Sequence, residues 1–288
     1  MRIASWRWGG RAQVGTVSPS GTEVTPLAAA DPERGALGLI QALARGEPMP
    51  QVAGARLPLD AVELCAPLPR PLRNVWCVGR NYHAHAKELA ESVFRASLPV
   101  EHAWPIVFTK VPECVVGPRD EVRLPGASIS SQIDYESELA VVIGRGGRDI
   151  AKSRAMDHVF GYTIVNDVTA RDIQVRHQQW DLGKSFDTFC PMGPWIVTAD
   201  ELDALDTRVR GWVNGELRQD ARTRDMIFDI PTLIETCSRG ITLYPGDVIA
   251  TGTPSGVGMG FSPPRWLVAG DVVRIEIDGI GAIENTFR

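Results

Sequence analysis

Short strand-like runs dominate the sequence from residue 74 onward, and they constrain its fold more than any other feature. The runs are Val75–Val78, Ile106–Thr109, Leu139–Ile143, Val159–Val165, Ile196–Thr198, Val209–Val213, Val248–Thr251 and Val272–Ile277. Helical periodicity is confined to His85–Phe94, Ile150–Asp157 and Asp229–Ser238. Because strands and helices do not alternate, the pattern argues against a doubly wound nucleotide-binding sheet and predicts an α+β, mostly β, fold.

The first 70 residues have a pattern of their own. Three short alternating stretches, Ile3–Trp8, Arg11–Ser18 and Thr22–Leu27, are broken by glycine-containing turns and predict a small β-meander. One helical stretch follows at Gly35–Gly46, and the proline-rich segment Ala66–Pro71 is typical of a stiff linker. The sequence therefore predicts a small N-terminal β-rich domain at residues 1–70 and a larger domain at residues 71–288.

The charge and composition of the chain argue against some classes of binding partner. Its 288 residues carry a formal net charge of −5, so no basic field attracts nucleic acid or an anionic membrane. No apolar run approaches the ~18 residues of a membrane span. The five cysteines are scattered without a CxxC pair, which is typical of reduced thiols. We expect a cytoplasmic protein that binds neither nucleic acid nor membrane.

Three carboxylates suggest a metal site. Glu136 and Glu138 point to one face of a strand that continues into the apolar run Leu139–Ile143. Their mutual repulsion next to a core is relieved by a hard divalent cation, for which oxygen ligands are suited. Asp167, at the end of the next strand-like segment, supplies a third oxygen ligand. The alternatives are a solvated strand end for the two glutamates and a helix cap for Asp167.

Five segments, taken together and in order, resemble the fumarylacetoacetate hydrolase superfamily. They are Gly79–Tyr82, Asp134–Leu139, Asn166–Asp172, Gly183–Asp187 and Thr251–Gly258. The likeness covers residues 74–288 and points to a bacterial member similar to 2-hydroxyhepta-2,4-diene-1,7-dioate isomerases and acylpyruvate hydrolases. It implies a mixed β-roll catalytic domain, a homodimer, and Mg²⁺ or Mn²⁺, with Ca²⁺ as the alternative ion, bound by Glu136, Glu138 and Asp167.

The general base is expected among His83, His85 and Glu88. On a helix, His85 and Glu88 are neighbours, so the carboxylate orients the imidazole. On a strand, His83 and His85 would mimic a cupin metal motif, but Glu88 follows too closely for that motif. The alternative for either histidine is a surface or satisfied core residue, which is the commoner role of such a side chain. The resemblance favours a His85–Glu88 dyad on a mobile lid over the metal and leaves His83 as a bystander.

Lysine is scarce, with only Lys87, Lys110, Lys152 and Lys184 among 30 basic residues. The resemblance assigns Lys184 to a developing oxyanion and places Gln174 near the site, although a surface lysine is the alternative. Gly252 and Thr253 are expected to receive a substrate carboxylate. Arg80 and Tyr82 serve either the pocket or the fold.

The glycine-rich segment 251–260 does not fit two common motifs. Pro263 and Pro264 follow it where a dinucleotide-binding loop would start a helix. Ser255 lacks the elbow and the nearby histidine of a serine hydrolase.

The resemblance implies an enzyme acting on a small 2-oxo acid. The favoured activity is hydrolysis of a C–C bond in an acylpyruvate or 2,4-dioxo acid through a metal-bound enolate, with water activated by His85. The same enolate permits two alternatives, decarboxylation or isomerisation (tautomerisation) of a 2-oxo or 2-hydroxydienoic diacid in aromatic catabolism. A non-catalytic metabolite-binding relative is the alternative from another class. The long segment 89–104 after the dyad predicts substrate contacts that differ from those of relatives.

Overall fold

The computed structural model describes residues 1–90, 104–176 and 179–288. The strands are β1 Arg2–Trp8, β2 Arg11–Val17, β3 Glu23–Pro26, β4 Leu57–Pro58, β5 Glu63–Cys65, β6 Val75–Gly79, β7 Ile106–Lys110, β8 Val115–Val116, β9 Ile133–Asp134, β10 Ser137–Ile143, β11 Val159–Asn166, β12 Thr169–Ala170, β13 Cys190–Thr198, β14 Arg208–Val213, β15 Glu216–Arg222, β16 Val248–Ala250, β17 Val272–Ile277 and β18 Gly281–Thr286. The helices are α1 Leu37–Ala44, α2 His83–Ala90, α3 Arg171–Gln174, α4 Asp181–Lys184 and α5 Ile230–Ser238. Strands outnumber helices, and the predicted α+β, mostly β, fold is confirmed.

The largest sheet runs in the order β4-β3-β2-β1-β13-β11-β10-β16-β6-β7, with β5 beside β1 and β8 beside β13. The N-terminal strands join it through β1, where Arg2 pairs with Val197 and Ile3 with Ile196 of β13. The strands on either side of the proline-rich segment therefore share one sheet. The division into two domains at residue 70 stays a prediction.

A second sheet, in the order β15-β14-β17-β18, packs near the start of β10. The contact is close, because a Cβ on Gly211 of β14 would lie 2.4 Å from Ser137 Oγ. The Ser137 amide also donates to Gln219 Oε1 of β15 at 3.0 Å. All seven residues of β10 are buried between these layers, which explains its continuous apolar run.

The predicted helices are present among the described residues, with one change of type; the helix predicted at His85–Phe94 is α2 as far as Ala90, and residues 91–94 lie outside the described part. Helix α5 begins where Asp229 accepts a hydrogen bond from the Thr232 amide at 2.9 Å, with proline in its first turn. The segment predicted at 150–157 is instead a 3₁₀ helix, Lys152–His158, whose tighter turn gives nearly the same side-chain spacing. Within the described parts of the chain, no helix is long and apolar enough to cross a bilayer. Residues 91–103 of the long segment after the dyad lie outside the described residues.

Four neighbouring strands bring the site residues to one edge of the large sheet. β6 and β16 run parallel and end there, whereas the antiparallel β10 starts there and β11 ends there. The amide of Asp167, just after β11, donates to the carbonyl of Glu136, just before β10, at 3.0 Å. The segments after β6 and β16 meet the same edge, since the Thr251 amide donates to Leu139 O and the Asn81 side-chain amide donates to Thr251 O at 2.7 Å.

Candidate active site

The three predicted carboxylates meet at this edge of the sheet. Glu136, Glu138 and Asp167 are all buried, and each offers an oxygen within 4.8 Å of those of the other two. Glu136 and Glu138 are brought together by the two-residue repeat of the strand, and Asp167 by the pairing of β10 with β11. The arrangement excludes the solvated strand end that the sequence left as an alternative.

Lys184 and Arg171 pair with Glu136, and Lys184 also pairs with Asp167. Lys184 Nζ donates to Glu136 Oε2 and to Asp167 Oδ2, both at 2.8 Å, and Arg171 lies 2.7 Å from Glu136 Oε1. Burial alone would raise the pKa of Glu136, but Lys184 and Arg171 outweigh it and lower the pKa to about 2. Glu136 is therefore charged at neutral pH.

Glu138 differs from its neighbours because no described residue forms an ion pair with it. The only described hydrogen bond to its carboxylate comes from the Gly252 amide, 2.9 Å from Oε2. Burial, together with the charges of Asp167 and Glu136, raises the pKa of Glu138 well above its usual range. Its buried carboxylate therefore has no cation partner among the described residues. Three carboxylates with oxygen donors alone fit a hard divalent cation at that position.

Lys110 is a site residue that the sequence did not single out. Its side chain is 0% exposed, and its ammonium group donates to Asp167 Oδ1 at 2.7 Å, to Val168 O at 3.0 Å and to Lys184 O. All three N–H donors are thus satisfied. Burial opposes the charge, but Asp167 outweighs it and raises the pKa of Lys110. Lys110 holds both a metal-site carboxylate and the backbone that carries Lys184.

A buried Asp134–Arg171 pair was also missed. Arg171 Nε donates to Asp134 Oδ2 at 2.9 Å, and Arg171 also donates to Gln174 Oε1 at 3.1 Å. The amides of Gly258 and Met259 donate to the same aspartate at 2.6 and 3.1 Å. One buried pair therefore connects the glycine-rich segment, Gln174 and the carboxylate site. Asp134 and Arg171 lie within two of the segments that resemble the family, but their pairing is a contact between distant parts of the chain, which no local pattern shows.

His85 and Glu88 form a pair on α2. Their contact joins His85 Nδ1 to Glu88 Oε2 at 2.9 Å, and the imidazole is 2% exposed. Because a carboxylate accepts and cannot donate, the proton of the neutral ring lies on Nδ1, and Nε2 carries the lone pair. His83 is exposed on the same helix.

One cavity collects most of the predicted site residues. It is lined by Val78, Gly79, Arg80, His85, Phe108, Glu136, Glu138, Arg171, Gln174, Trp180, Lys184 and Thr253. Arg80 enters it from a left-handed backbone position, with φ of 55°. Lys184 Nζ lies 4.8 Å from the Phe108 ring centroid, so an aromatic wall flanks the ammonium group. Asp167, Glu88, Gly252 and Tyr82 are not among the described lining residues. Asp167 and Glu88 contact the lining residues Lys184 and His85, Gly252 donates to Glu138, and the side chain of Tyr82 is buried.

Relatives of known name and structure share this architecture. The family profile described as fumarylacetoacetate (FAA) hydrolase C-terminal matches residues 74–288. The oxaloacetate tautomerase YisK of Bacillus subtilis is 54% identical over 228 residues, which cover 79% of this chain and 73% of the relative. A mitochondrial oxaloacetate tautomerase of Homo sapiens is 47% identical over 232 residues, covering 80% and 70%.

Solved structures match along the whole chain. A fumarylacetoacetate hydrolase from Exiguobacterium antarcticum is 42% identical with a TM-score of 0.85, covering 100% of this chain and 99% of its own. A 2-hydroxyhepta-2,4-diene-1,7-dioate isomerase from Mycobacterium marinum is 35% identical with a TM-score of 0.79, covering 100% and 98%. With a profile match over most of its length, the chain belongs to the fumarylacetoacetate hydrolase family.

Proposed function

We propose that the chain is a tautomerase that interconverts the keto and enol forms of a 2-oxo dicarboxylic acid such as oxaloacetate. The observation that carries the proposal is a buried imidazole, oriented by Glu88, in the same cavity as Lys184 and the carboxylate site. Proton transfer needs only such a base and a group that stabilises an oxyanion. The names of the relatives at 54% and 47% identity support this reaction better than the C–C hydrolysis that the sequence alone favours.

His85 is the proposed base. Nε2 removes a proton from C3 of the keto acid, the C–H electron pair becomes the C2–C3 double bond, and the carbonyl π pair moves onto the C2 oxygen. The imidazolium then gives its proton to that oxygen, which yields the enol and restores the neutral base, and the reverse sequence returns the keto form. Glu88 balances the imidazolium charge through the Nδ1 contact at 2.9 Å, and Lys184 stabilises the negative oxygen.

A divalent cation completes the proposed site. Glu136, Glu138 and Asp167 would hold Mg²⁺ or Mn²⁺, with Ca²⁺ as the alternative, and the ion would supply Lewis-acid polarisation of the 2-oxo group. Arg80, Gln174 and Thr253 line the same cavity and are proposed to bind the carboxylates of the substrate.

The test follows the two forms of oxaloacetate separately. Purified protein with Mg²⁺ or Mn²⁺ is mixed with enol oxaloacetate, and the ultraviolet absorbance of the enol is followed beside an enzyme-coupled pyruvate assay. We expect faster loss of the enol without matching pyruvate, and loss of this effect with a chelator. An unchanged rate of enol loss with either ion would overturn the proposal, as would stoichiometric pyruvate, which indicates a decarboxylase.

C–C hydrolysis is the second candidate, because a structure 42% identical over the whole chain is named a fumarylacetoacetate hydrolase. An acylpyruvate assayed under the same conditions distinguishes it, since hydrolysis releases pyruvate and a carboxylic acid. A non-catalytic relative would bind oxaloacetate without turnover.

We also propose a cytoplasmic homodimer, and light scattering of the purified protein tests its oligomeric state.

A further inference from the structure

The carboxylate of Glu88 is held on two sides. Oε2 contacts His85 Nδ1 at 2.9 Å, and Oε1 accepts a hydrogen bond from the Gly256 amide at 3.0 Å. The side chain of Glu88 is only 17% exposed, so protein atoms rather than solvent surround most of it. The orientation of the base therefore depends on the glycine-rich segment as well as on α2.

The absence of a side chain at Gly260 leaves room for the Glu88 carboxylate. A Cβ added to Gly260 would lie 1.9 Å from Glu88 Oε1, 2.3 Å from Cδ and 2.7 Å from Cγ, all of which are steric clashes. The backbone of Gly260 is not left-handed, so an alanine is acceptable to the main chain itself. Only the position of Glu88 requires a glycine here.

The neighbouring glycines are required for other reasons. A Cβ on Gly256, where φ is +101°, would lie 1.9 Å from Arg218 O, and one on Gly258 would lie 2.3 Å from Arg265 O. Both positions are thus limited by backbone packing. Of these three glycines, Gly260 is the one at which the atoms nearest to an added Cβ belong to Glu88.

The segment that carries Gly260 is fixed to the carboxylate site. Asp134 accepts hydrogen bonds from the Gly258 and Met259 amides, and Tyr135 Oη donates to Gly256 O at 2.7 Å. Asp134 and Tyr135 directly precede Glu136. The position of Glu88 is therefore set relative to the segment that carries Glu136.

We propose that Gly260 is a positioning residue. Because it has no side chain, the Glu88 carboxylate can lie between the Gly256 amide and His85. The inference rests on the proposed function, because it assigns to Gly260 the alignment of the base in that reaction. Displacing Glu88 turns the imidazole away from the reacting carbon, and a misplacement of about 1 Å can cost on the order of 100-fold in rate.

The experiment compares Gly260→Ala with Gly126→Ala. Gly126 is an exposed glycine of ordinary backbone conformation, and the nearest atom to its added Cβ would be Ser128 Oγ at 3.8 Å. We expect Gly260→Ala to lower kcat for enol loss by about 10–100-fold with little change in KM, and Gly126→Ala to leave both unchanged. Wild-type kcat in Gly260→Ala would overturn the proposal.

A double variant separates positioning from general damage. In the Glu88→Ala background nothing remains to be displaced, so adding Gly260→Ala should change kcat by less than about twofold. An equal loss with and without Glu88 would show that Gly260 acts elsewhere. The double variant also removes the clash, and it should fold even where Gly260→Ala alone does not.

A readout independent of activity distinguishes this inference from the proposed function. Hydrogen exchange of the peptide that contains Gly256, followed by mass spectrometry, should be faster in Gly260→Ala and unchanged in Gly126→Ala. This result would support the role of Gly260 in positioning Glu88 even if the wild-type protein showed no tautomerase activity. Unchanged exchange in Gly260→Ala would contradict it.

Discussion

Lys110→Met removes the buried ammonium group that supports the site. Lys110 is 0% exposed, and its loss leaves Asp167 Oδ1, Val168 O and Lys184 O without this donor. Removing one partner of a buried ion pair costs about 3–5 kcal/mol, because the remaining charge stays buried. Lys184 still reaches Asp167 Oδ2 at 2.8 Å, so we expect the lower end, a loss of about 3 kcal/mol in the free energy of unfolding.

Thermal and urea unfolding of the metal-free protein measure this loss. At about 2–4 °C per kcal/mol, the melting temperature should fall by roughly 6–12 °C. Lys152→Met is the matched control, because Lys152 pairs with Asp229 at 3.0 Å with both side chains about half exposed. Such an exposed pair contributes about 0–1 kcal/mol.

A second substitution tests the physical cause. In Lys110→Met/Asp167→Asn the buried carboxylate that has lost its Lys110 partner becomes a neutral amide, so part of the lost stability should return, while Mn²⁺ binding should be weaker because Asp167 is a proposed ligand. Equal melting temperatures for Lys110→Met and Lys152→Met would refute the assignment of Lys110 as the support of Asp167.

Three further predictions concern the site. Glu138→Gln should abolish metal-dependent activity and weaken Mn²⁺ binding in calorimetry, while the metal-free protein melts no lower, because a buried carboxylate without a cation partner is replaced by a neutral amide. His85→Ala should spare metal binding and slow enol loss by about 10²–10⁴-fold. Asp134→Asn should lower the unfolding free energy by about 3 kcal/mol in urea titrations, since Arg171 loses one buried partner and keeps Glu136.

Each of these has a contrary outcome. Full metal-dependent activity in Glu138→Gln would remove it from the proposed ligand set. Equal losses of metal binding and turnover in His85→Ala would show that the imidazole is not a base alone. Wild-type stability in Asp134→Asn would show that the Asp134–Arg171 pair contributes little to the fold.

The strands were predictable because their signal is local. The run Val272–Ile277 coincides with β17, and Val209–Val213 lacks only the first residue of β14. Burial within the sheets requires apolar side chains at regular positions, and the sequence displays them directly. The pairing of β1 with β13 joins residues almost 200 positions apart, and local periodicity has no access to it.

The same distinction applies to the site. The common face of Glu136 and Glu138 follows from strand alternation, and the His85–Glu88 contact follows from helical spacing. Lys110, at the end of a strand-like run, reaches Asp167 only through the fold, and Glu88 meets Gly256 across 168 positions. Such contacts depend on how the strands are ordered in the sheet, and no spacing within the chain encodes that order.

The most direct test of the proposed tautomerase is hydrogen exchange at C3 of oxaloacetate in D₂O, followed by proton NMR. With Mg²⁺ or Mn²⁺ the wild-type protein should accelerate deuterium incorporation at C3 while the C–C bonds stay intact, and His85→Ala should not. Acceleration that persists undiminished in His85→Ala, or no acceleration by the wild-type protein, would contradict the account of His85 as the base that moves the C3 proton.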